Sequence, residues 1–314
     1  MNEIIYSVVV PLYNEELVIN ESYRRLVKVM DKIEESYEIL FINDGSTDCT
    51  KTLAEHICNV DGRIKLINFS RNFGHQAAIT AGMNYANGKA IIIIDADLQD
   101  PPETILEMIK KWKEGFDVVY GKRAKREGES IFKKFTAKAY YRLLKFMTKE
   151  DIPVDTGDFR LVDRKVCDAL NRLPEKNRYV RGLVSWVGYK QTSVQFVRQE
   201  RFAGDTKYPL NKMIKLAFDG ITSFSTKPME ISGILGMILL AIGFLSLVVI
   251  FVSNVISSSD VININLLLAF NLMMFGLIFC FLGIMGQYVG RIFVESKDRP
   301  IFIVDSTTNY DKRL

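Results

Sequence analysis

Histidine and cysteine are scarce in this chain, and their scarcity argues against several kinds of site. The two histidines, His56 and His75, have no metal-ligand spacing, which argues against a histidine-based metal centre. The four cysteines form no C-x-x-C pair, which indicates reduced thiols rather than a disulfide framework or a zinc site. They are Cys49, Cys58, Cys167 and Cys280.

A large excess of either charge is also absent. The chain has 41 Lys+Arg against 37 Asp+Glu, a net charge of +4, so we expect no broad basic surface and no nucleic-acid partner. Its 314 residues, 48% hydrophobic and 25% charged, can bury one substantial core and carry a smaller appendage. The short apolar run from Ile4 to Val10 does not resemble a signal peptide, so we expect the soluble part to stay in the cytosol.

Long apolar runs are confined to the last third of the chain. The run from Ile231 to Val255 would extend about 37 Å as a helix, enough to cross a bilayer, and a second run covers Leu266 to Tyr288. Lys and Arg precede the first run and follow the second, but the connection holds none, so the positive-inside rule places both flanks in the cytosol. This pattern predicts a multi-pass protein of the cell membrane with both termini cytosolic. A buried helical hairpin in a soluble protein is the alternative.

Two further segments have the composition of helices that lie on a membrane surface. Residues 130–148 interleave Lys and Arg with Phe, Tyr and Leu, and residues 210–224 lead directly into the first apolar run. A solvated face on an ordinary packed helix is the alternative for each. The predicted organisation is a soluble domain over 1–229, two transmembrane helices over 230–290 and a cytosolic tail over 291–314.

Between Ile4 and Gly121, short β-branched runs alternate with helical segments. This order predicts an α/β domain with a Rossmann-like, mostly parallel sheet covered by helices. The predicted strands are Ser7–Val10, Glu38–Ile42, Ile64–Asn68, Ala90–Ile94 and Asp117–Tyr120. The predicted helices are Glu15–Lys32, Asp48–Cys58, Gln76–Asn87 and Pro102–Lys113, the second of them capped by Ser46 or Thr47.

Acidic residues follow several of the predicted strands, and ligands bind at the carboxyl ends of strands in such sheets. Asp44 follows the second strand, where its carboxylate could bind the ribose hydroxyls or the base edge of a nucleoside. Asp95 and Asp97 are one residue apart after the fourth strand, a spacing that suits Mg²⁺ or Mn²⁺ bridging a diphosphate. A D-x-D string alone is a weak signal, but here Pro101 and Pro102 follow and stiffen the loop.

Seven strings in order resemble glycosyltransferase family 2, and within it the polyprenyl-phosphate glycosyltransferases of the bactoprenol glucosyltransferase and dolichol-phosphate mannose synthase types. The resemblance covers nearly the whole chain. Its strings are VVVPLYNEE at 8–16, NDGSTD at 43–48, SRNFGHQAAITAG at 70–82, DADLQDPPE at 95–103, TGDFRLVDR at 156–164, RFAGDTKYPL at 201–210 and the closing apolar pair.

The resemblance implies a GT-A fold, an inverting sugar transfer and a set of site residues. It implies a nucleotide-sugar donor bound by Pro11, Tyr13, Glu15, Asp44 and Asp95. It implies a divalent cation, Mg²⁺ or Mn²⁺, bound by Asp95, Asp97 and, in some relatives, Gln99.

The same resemblance points to Asp158 as the catalytic carboxylate, often described as a general base. A lipid phosphate at pH 7 is already largely a dianion, because its second pKa is about 6, so Asp158 could instead position Arg160 or orient the acceptor. Arg201 and Lys207 would hold the donor diphosphate and acceptor phosphate together against their mutual repulsion. Arg178 and Arg181 are further candidates on the acceptor side.

We therefore expect transfer of glucose from UDP-glucose to a membrane polyprenyl phosphate, for glycosylation of the cell envelope. UDP-N-acetylglucosamine and GDP-mannose are alternative donors. A processive polysaccharide synthase and a non-enzymatic nucleotide-sugar sensor are alternative functions. Two spans are too few for a polymer channel, however, and a sensor would not require Asp158.

The run Pro300–Val304 after the second apolar segment resembles a strand that needs an edge to pair with. A second copy of the chain could supply that edge, so a homo-oligomer is a further expectation.

Overall fold

The structure is a computed structural model that describes residues 3–124, 156–199, 227–256 and 264–310. The predicted interfacial segments at 130–148 and 210–224 lie outside these residues, as do Arg201 and Lys207.

The described strands form one mixed sheet in the order β7-β5-β6-β4-β1-β2-β3-β8. They are β1 (Tyr6–Leu12), β2 (Tyr37–Asn43), β3 (Ile64–Phe69), β4 (Ala90–Ile93), β5 (Val118–Arg123), β6 (Thr156–Asp163), β7 (Gln191–Phe196) and β8 (Val304–Thr308). Only β6 and β8 among them run antiparallel to their neighbours. The five predicted strands are all present, and the expected GT-A-like, mostly parallel sheet is confirmed.

Helices cover both faces of this sheet. They are α1 (Ile19–Met30), α2 (Thr50–Val60), α3 (His75–Tyr85), α4 (Thr104–Lys113), α5 (Arg164–Asn171) and α6 (Val180–Trp186). One buried cluster joins the sheet to α1, α2 and α4, and a second joins the other face to α3, α5 and α6. In β1, Val8 and Val10 enter the first cluster and Val9 enters the second, because alternate side chains of a strand point to opposite faces. Burial on both faces explains why these strands read as continuous apolar runs.

The predicted cap of α2 is wrong. The helix begins at Thr50, directly after Cys49, and its cap position makes no side-chain hydrogen bond. The hydroxyl of Ser46 instead accepts a hydrogen bond from the backbone N–H of Asn14, so it joins two loops rather than ending a helix.

Strand β6 is absent from the predicted sheet, and its insertion shapes the site. It lies between β4 and β5 and pairs antiparallel with both, with Ile93 opposite Arg160. Because β6 runs against β4, the beginning of β6 and the end of β4 lie at the same edge of the sheet. This brings Asp158 to the edge where Asp95 lies.

Two long helices follow in the C-terminal third, α7 (Lys227–Ile256) and α8 (Ile264–Ser296), and they contact each other. Among the described residues, one segment, Met273–Ser296, is long and apolar enough to span a membrane, and none of it is buried. The segment Ile231–Gly243 in α7 is apolar but shorter. The predicted pair of spanning helices therefore stays a prediction.

After α8 the chain returns to the same sheet. The strand near the C-terminus is β8, a few residues beyond the predicted 300–304, and it pairs antiparallel with β3 of the same chain. The ring of Phe302 stacks on Phe69 with centroids 5.1 Å apart, and the hydroxyl of Tyr310 donates to the carbonyl of Tyr85. Within the described residues, Val304–Thr308 thus forms an edge strand of this sheet. Because β3 supplies the edge, the homo-oligomer expectation loses its basis.

We expect Phe302→Ala to lower the free energy of unfolding by about 2 kcal/mol, roughly half the loss for a fully buried phenylalanine, since Phe302 is half-buried. Thermal unfolding of the detergent-solubilised protein measures this. Ile303→Ala is the matched control, because the neighbouring Ile303 is exposed. Equal destabilisation by both substitutions would contradict the role assigned to Phe302.

Candidate active site

The loops after β1 and β2 are joined side by side at the carboxyl edge of the sheet. Asn14, whose φ is +53°, accepts a hydrogen bond from the backbone N–H of Thr47 and donates its own backbone N–H to Ser46. The backbone N–H of Glu15 donates to the hydroxyl of Thr50 at 2.7 Å. These bonds set the backbone around Tyr13, which is 40% exposed just beyond β1.

The predicted donor ligands occupy different positions along this edge. Pro11 is buried inside β1, where it shapes the strand rather than facing solvent. Tyr13 and the half-buried Glu15 lie beyond the strand end, and Asp44 directly follows β2.

The carboxylate of Asp44 is buried and holds the loop that leads into α3. It accepts hydrogen bonds from the backbone N–H groups of Phe73 at 2.6 Å and Gly74 at 2.9 Å. Burial raises the pKa of Asp44, although these two bonds and nearby cations oppose the rise. The adjacent Gly45 has φ +64°, and a Cβ there would lie 2.4 Å from the backbone carbon of Arg71. Asp44 and Gly45 together therefore allow the 70–74 loop to approach β2 closely.

The D-x-D string turns sharply after β4. Leu98 has φ +59°, and Asp97 accepts a hydrogen bond from the backbone N–H of Gln99 at 3.0 Å. Within the described residues, the Oδ1 atom of Asp95 is buried and makes no hydrogen bond, although His75 Nε2 lies 3.5 Å from it and the side chain as a whole is 35% exposed. Burial raises the pKa of Asp95. An oxygen that is buried without a hydrogen bond at the end of a strand is a suitable ligand for a hard cation.

The residues around this turn fit a divalent cation in part. Asp95 and Asp97 offer carboxylate oxygens, but no third His, Cys, Asp or Glu joins them within the described residues. The side-chain oxygen of Gln99 accepts a hydrogen bond from Arg198 at 2.5 Å, so in this arrangement Gln99 is bound to a cationic side chain. Two carboxylates leave coordination positions for a ligand's own oxygens, as is usual for Mg²⁺ sites that bind phosphates.

Asp158 lies at the centre of a buried charged cluster. Arg181 donates to both of its carboxylate oxygens, from Nε at 2.8 Å and from Nη2 at 3.1 Å. The Nε2 atom of His75 lies 3.3 Å from Oδ2 of Asp158 and 3.5 Å from Oδ1 of Asp95. His75 therefore connects the candidate cation site to the candidate catalytic carboxylate.

The electrostatics of this cluster keep Asp158 ionised. Burial alone would raise the pKa of Asp158, but the charges of Arg181 and His75 hold it well below its usual range. Burial would likewise lower the pKa of His75, but the carboxylates of Asp95 and Asp158 raise it to about 9. At neutral pH the cluster is thus an anionic Asp158 between two cations. A carboxylate with so low a pKa is a weak proton acceptor.

The side chain of Gln76 connects helices α3 and α6 beside this cluster. Gln76, the second residue of α3, accepts a hydrogen bond from the backbone N–H of Val180 at 2.9 Å and donates to Asp158 at 3.4 Å. Val180 is the first residue of α6, which carries Arg181. The start of α6 is therefore fixed relative to Asp158 by both Gln76 and Arg181.

A small polar cleft opens beside the cluster. It is lined by Tyr120, Thr156, Arg160, Arg181, Ser185 and Gln191. The guanidinium of Arg160 is buried and donates to the carbonyls of Gly157 and Asp158, and burial lowers its pKa to about 10. The guanidinium groups of both arginines border this cleft and make it a candidate anion site, although that of Arg181 is already paired with Asp158.

The structure brings Asp95, Asp158 and Arg181 close together, and Arg201 and Lys207 lie outside the described residues. The sequence pattern indicated no function for His75 or Gln76, and the predicted helix began at Gln76, one residue after His75. His75 itself begins α3, and it also contacts both carboxylates. The available signal was its place in the string SRNFGHQ, which is recognisable from sequence only as part of a motif.

Comparison with known proteins places the chain in a family. Residues 7–170 match the family described as glycosyl transferase family 2. The chain is 56% identical over 310 residues to the uncharacterized glycosyltransferase YkcC of Bacillus subtilis (strain 168), covering 98% of this chain and 96% of that protein. It is 38% identical over 298 residues to the bactoprenol glucosyl transferase of Shigella phage SfV, covering 95% and 97%.

Among solved structures, glucosyl-3-phosphoglycerate synthase from Mycobacterium tuberculosis, in complex with Mn²⁺, uridine diphosphate and glucosyl-3-phosphoglycerate, aligns with a TM-score of 0.47 and 20% identity. The alignment covers 69% of this chain and 77% of that one. The family assignment depends on the sequence matches, which extend over nearly the whole chain. By those matches, the chain belongs to glycosyl transferase family 2 and is a glycosyltransferase.

Proposed function

We propose that this glycosyltransferase moves a sugar from a nucleotide-sugar donor to a polyprenyl phosphate at a membrane surface, with inversion at the anomeric carbon. The observation that carries the proposal is the cationic cleft of Arg160 and Arg181 beside Asp158, at the same sheet edge as Asp95. The relative named bactoprenol glucosyl transferase, aligned over nearly its whole length, supports the prenyl acceptor.

The donor would bind along the strand ends, with the nucleoside near Tyr13, Glu15 and Asp44. Asp95 and Asp97 would hold a Mg²⁺ or Mn²⁺ ion, which when bound neutralises charge on the leaving nucleoside diphosphate. Gln99 would join them only if it released Arg198. UDP-glucose is the donor we favour, since the full-length relatives include proteins named as glucosyl transferases. UDP-N-acetylglucosamine and GDP-mannose are the alternatives.

The acceptor phosphate would enter the cleft and contact Arg160 and Arg181. Its oxygen attacks the anomeric carbon, and the bond from that carbon to the diphosphate oxygen breaks on the opposite side. The phosphate is already largely a dianion at neutral pH, so no proton has to leave it first. Arg201 and Lys207, from the segment beyond β7, would add positive charge between the two phosphate groups.

Asp158 acts in this scheme as a positioning group rather than as a base. Its two oxygens are occupied by Arg181, and Oδ2 also lies within reach of His75 and Gln76. By holding Arg181 in one orientation, the carboxylate would present the guanidinium to the acceptor in a fixed geometry.

The long apolar helices would anchor the enzyme in the membrane. On α8, large apolar side chains such as Phe279, 70% exposed, and Ile292, 67% exposed, face away from the protein, and exposed apolar surface of this extent is stable in lipid. We propose that α7 also crosses, so that the catalytic domain and both termini lie in the cytosol. The basic segments at 130–148 and 210–224 would then rest on anionic headgroups.

Membranes containing the protein, incubated with a panel of labelled nucleotide sugars, test this function. Label that becomes soluble in organic solvent in the presence of a polyprenyl phosphate is the expected product, with UDP-glucose the best donor. Label found only in insoluble polymer would favour a processive synthase, and absence of any transfer would favour a nucleotide-sugar sensor.

We expect Asp158→Asn to lower kcat by about 100-fold, or roughly 3 kcal/mol of transition-state stabilisation, because the neutral amide no longer holds Arg181 by charge. The loss should be the same at every pH, and the acid limb of the profile should follow the acceptor phosphate. Asp305→Asn, at an exposed carboxylate on β8, serves as the control. A loss relative to the unaltered enzyme that shrinks as the pH rises, both measured at the same pH, would refute the positioning role.

Removal of divalent cations with a chelator should abolish transfer, and Mn²⁺ or Mg²⁺ should restore it. Asp97→Asn should raise the cation concentration needed for half-maximal activity by about tenfold or more, because one of two carboxylate ligands loses its charge. Calorimetric titration of Mn²⁺ into the protein with bound UDP checks the same change without turnover. Undiminished activity after exhaustive chelation would rule out the cation.

A further inference from the structure

The C-terminal end of α8 is attached to the catalytic domain by the carboxylate of Glu295, among other contacts. Glu295, in the last turn of the helix, accepts hydrogen bonds from the backbone N–H of Lys176, at 2.9 Å and 3.1 Å to its two oxygens. The backbone N–H of Asn177 donates to the same side chain at 3.3 Å. Bonds from backbone amides to an ionised carboxylate are stronger than bonds between neutral groups.

The loop that Glu295 binds lies between α5 and α6 and is itself cross-linked. Arg178 donates to the carbonyls of Leu173 at 2.6 Å and Glu175 at 3.1 Å, so the loop is closed by its own side chain. We expect a loop closed in this way to keep its shape and to follow the position of Glu295.

From this loop the contacts lead within a few residues to the catalytic cluster. The next helix, α6, begins at Val180, whose N–H is bound by Gln76, and its second residue is Arg181. Arg181 pairs with both oxygens of Asp158. Glu295 therefore holds the stretch of chain that leads directly into the acceptor side of the site.

The chain beyond α8 is held at a second point. Asp298 adopts φ +46° as the chain turns, its side chain pairs with Lys176 at 2.8 Å, and the chain then enters the sheet as β8 beside β3. The Lys176 pair is exposed on the Asp298 side, and exposed ion pairs contribute little. Glu295 makes the more specific of the two contacts with the loop.

We propose that Glu295 is a positioning residue that holds Asp158 and Arg181 at a fixed distance from the membrane surface at which α8 leaves the bilayer. The inference depends on the proposed function, because the distance between the site and the membrane affects transfer only if the acceptor is embedded in that membrane. The phosphate of a long polyprenyl chain is confined to the bilayer surface, so the site must be presented to it. A short, water-soluble prenyl phosphate diffuses to the site wherever it lies.

The test compares two acceptors with the full-length protein in vesicles of phosphatidylglycerol and phosphatidylethanolamine. The acceptors are undecaprenyl phosphate in the bilayer and geranyl phosphate in solution, with UDP-glucose as the donor. We expect Glu295→Gln to lower kcat/KM for undecaprenyl phosphate by about tenfold, while geranyl phosphate changes by less than about twofold and the KM for the donor is unchanged.

Two variants keep the test decisive. Glu295→Asp retains the charge on a shorter side chain and should retain more activity with undecaprenyl phosphate than Glu295→Gln, even if the latter folds poorly. Asp298→Asn is the matched control, since it removes the neighbouring ion pair, and asparagine tolerates the positive φ. It should leave both acceptors within about twofold of the unaltered protein.

The outcomes separate the two proposals. Equal losses with both acceptors, or no loss with either, would overturn the positioning role and leave the proposed function intact. Failure of the unaltered protein to transfer sugar to either acceptor from any nucleotide sugar would overturn the proposed function, and the inference with it.

Discussion

The geometry of the candidate active site depends on a buried ion pair between Asp158 and Arg181. A carboxylate removed from water is costly unless its charge is compensated, and here Arg181 binds both oxygens while His75 approaches from the other side. Each partner comes from a different part of the fold: β6 supplies Asp158, α6 supplies Arg181 and α3 supplies His75. The pair therefore holds three elements in one arrangement, and the polar cleft beside it exists only while they stay together.

The compensation of the Asp158 charge by Arg181 and His75 also determines which kind of catalysis the site can support. Since the pKa of Asp158 is held well below its usual range, the side chain is a poor proton acceptor. A lipid phosphate does not need one, because it is already an anionic nucleophile. In the proposed reaction the two phosphate-bearing molecules repel each other, and the arginines and the proposed cation would offset that repulsion. The charge distribution thus favours catalysis by position and electrostatics over catalysis by proton transfer.

The C-terminal region belongs to this site more closely than its sequence suggested. The strand predicted at 300–304 pairs, a few residues later, with β3 of the same chain, and Glu295 binds the loop before α6. Neither contact could be found from the sequence, since each joins residues that are more than a hundred positions apart. The edge of β3 and the amides of the loop become available only once the sheet has formed. A lone apolar run with no visible partner therefore suggested a second chain.

The local pattern by itself determined the five predicted strands, the helices between them and the acidic residues at the strand ends, because short apolar runs and helical periodicity extend over only a few positions. It also indicated Asp95, Asp97 and Asp158 through short strings. Only the tertiary structure decided that β6 inserts antiparallel beside β4, that His75 lies between two carboxylates and that Pro11 is buried. It also showed that Ser46 joins two loops rather than capping α2. These outcomes depend on ion pairs and hydrogen bonds between residues that are distant in sequence, and such contacts form only when the chain is packed.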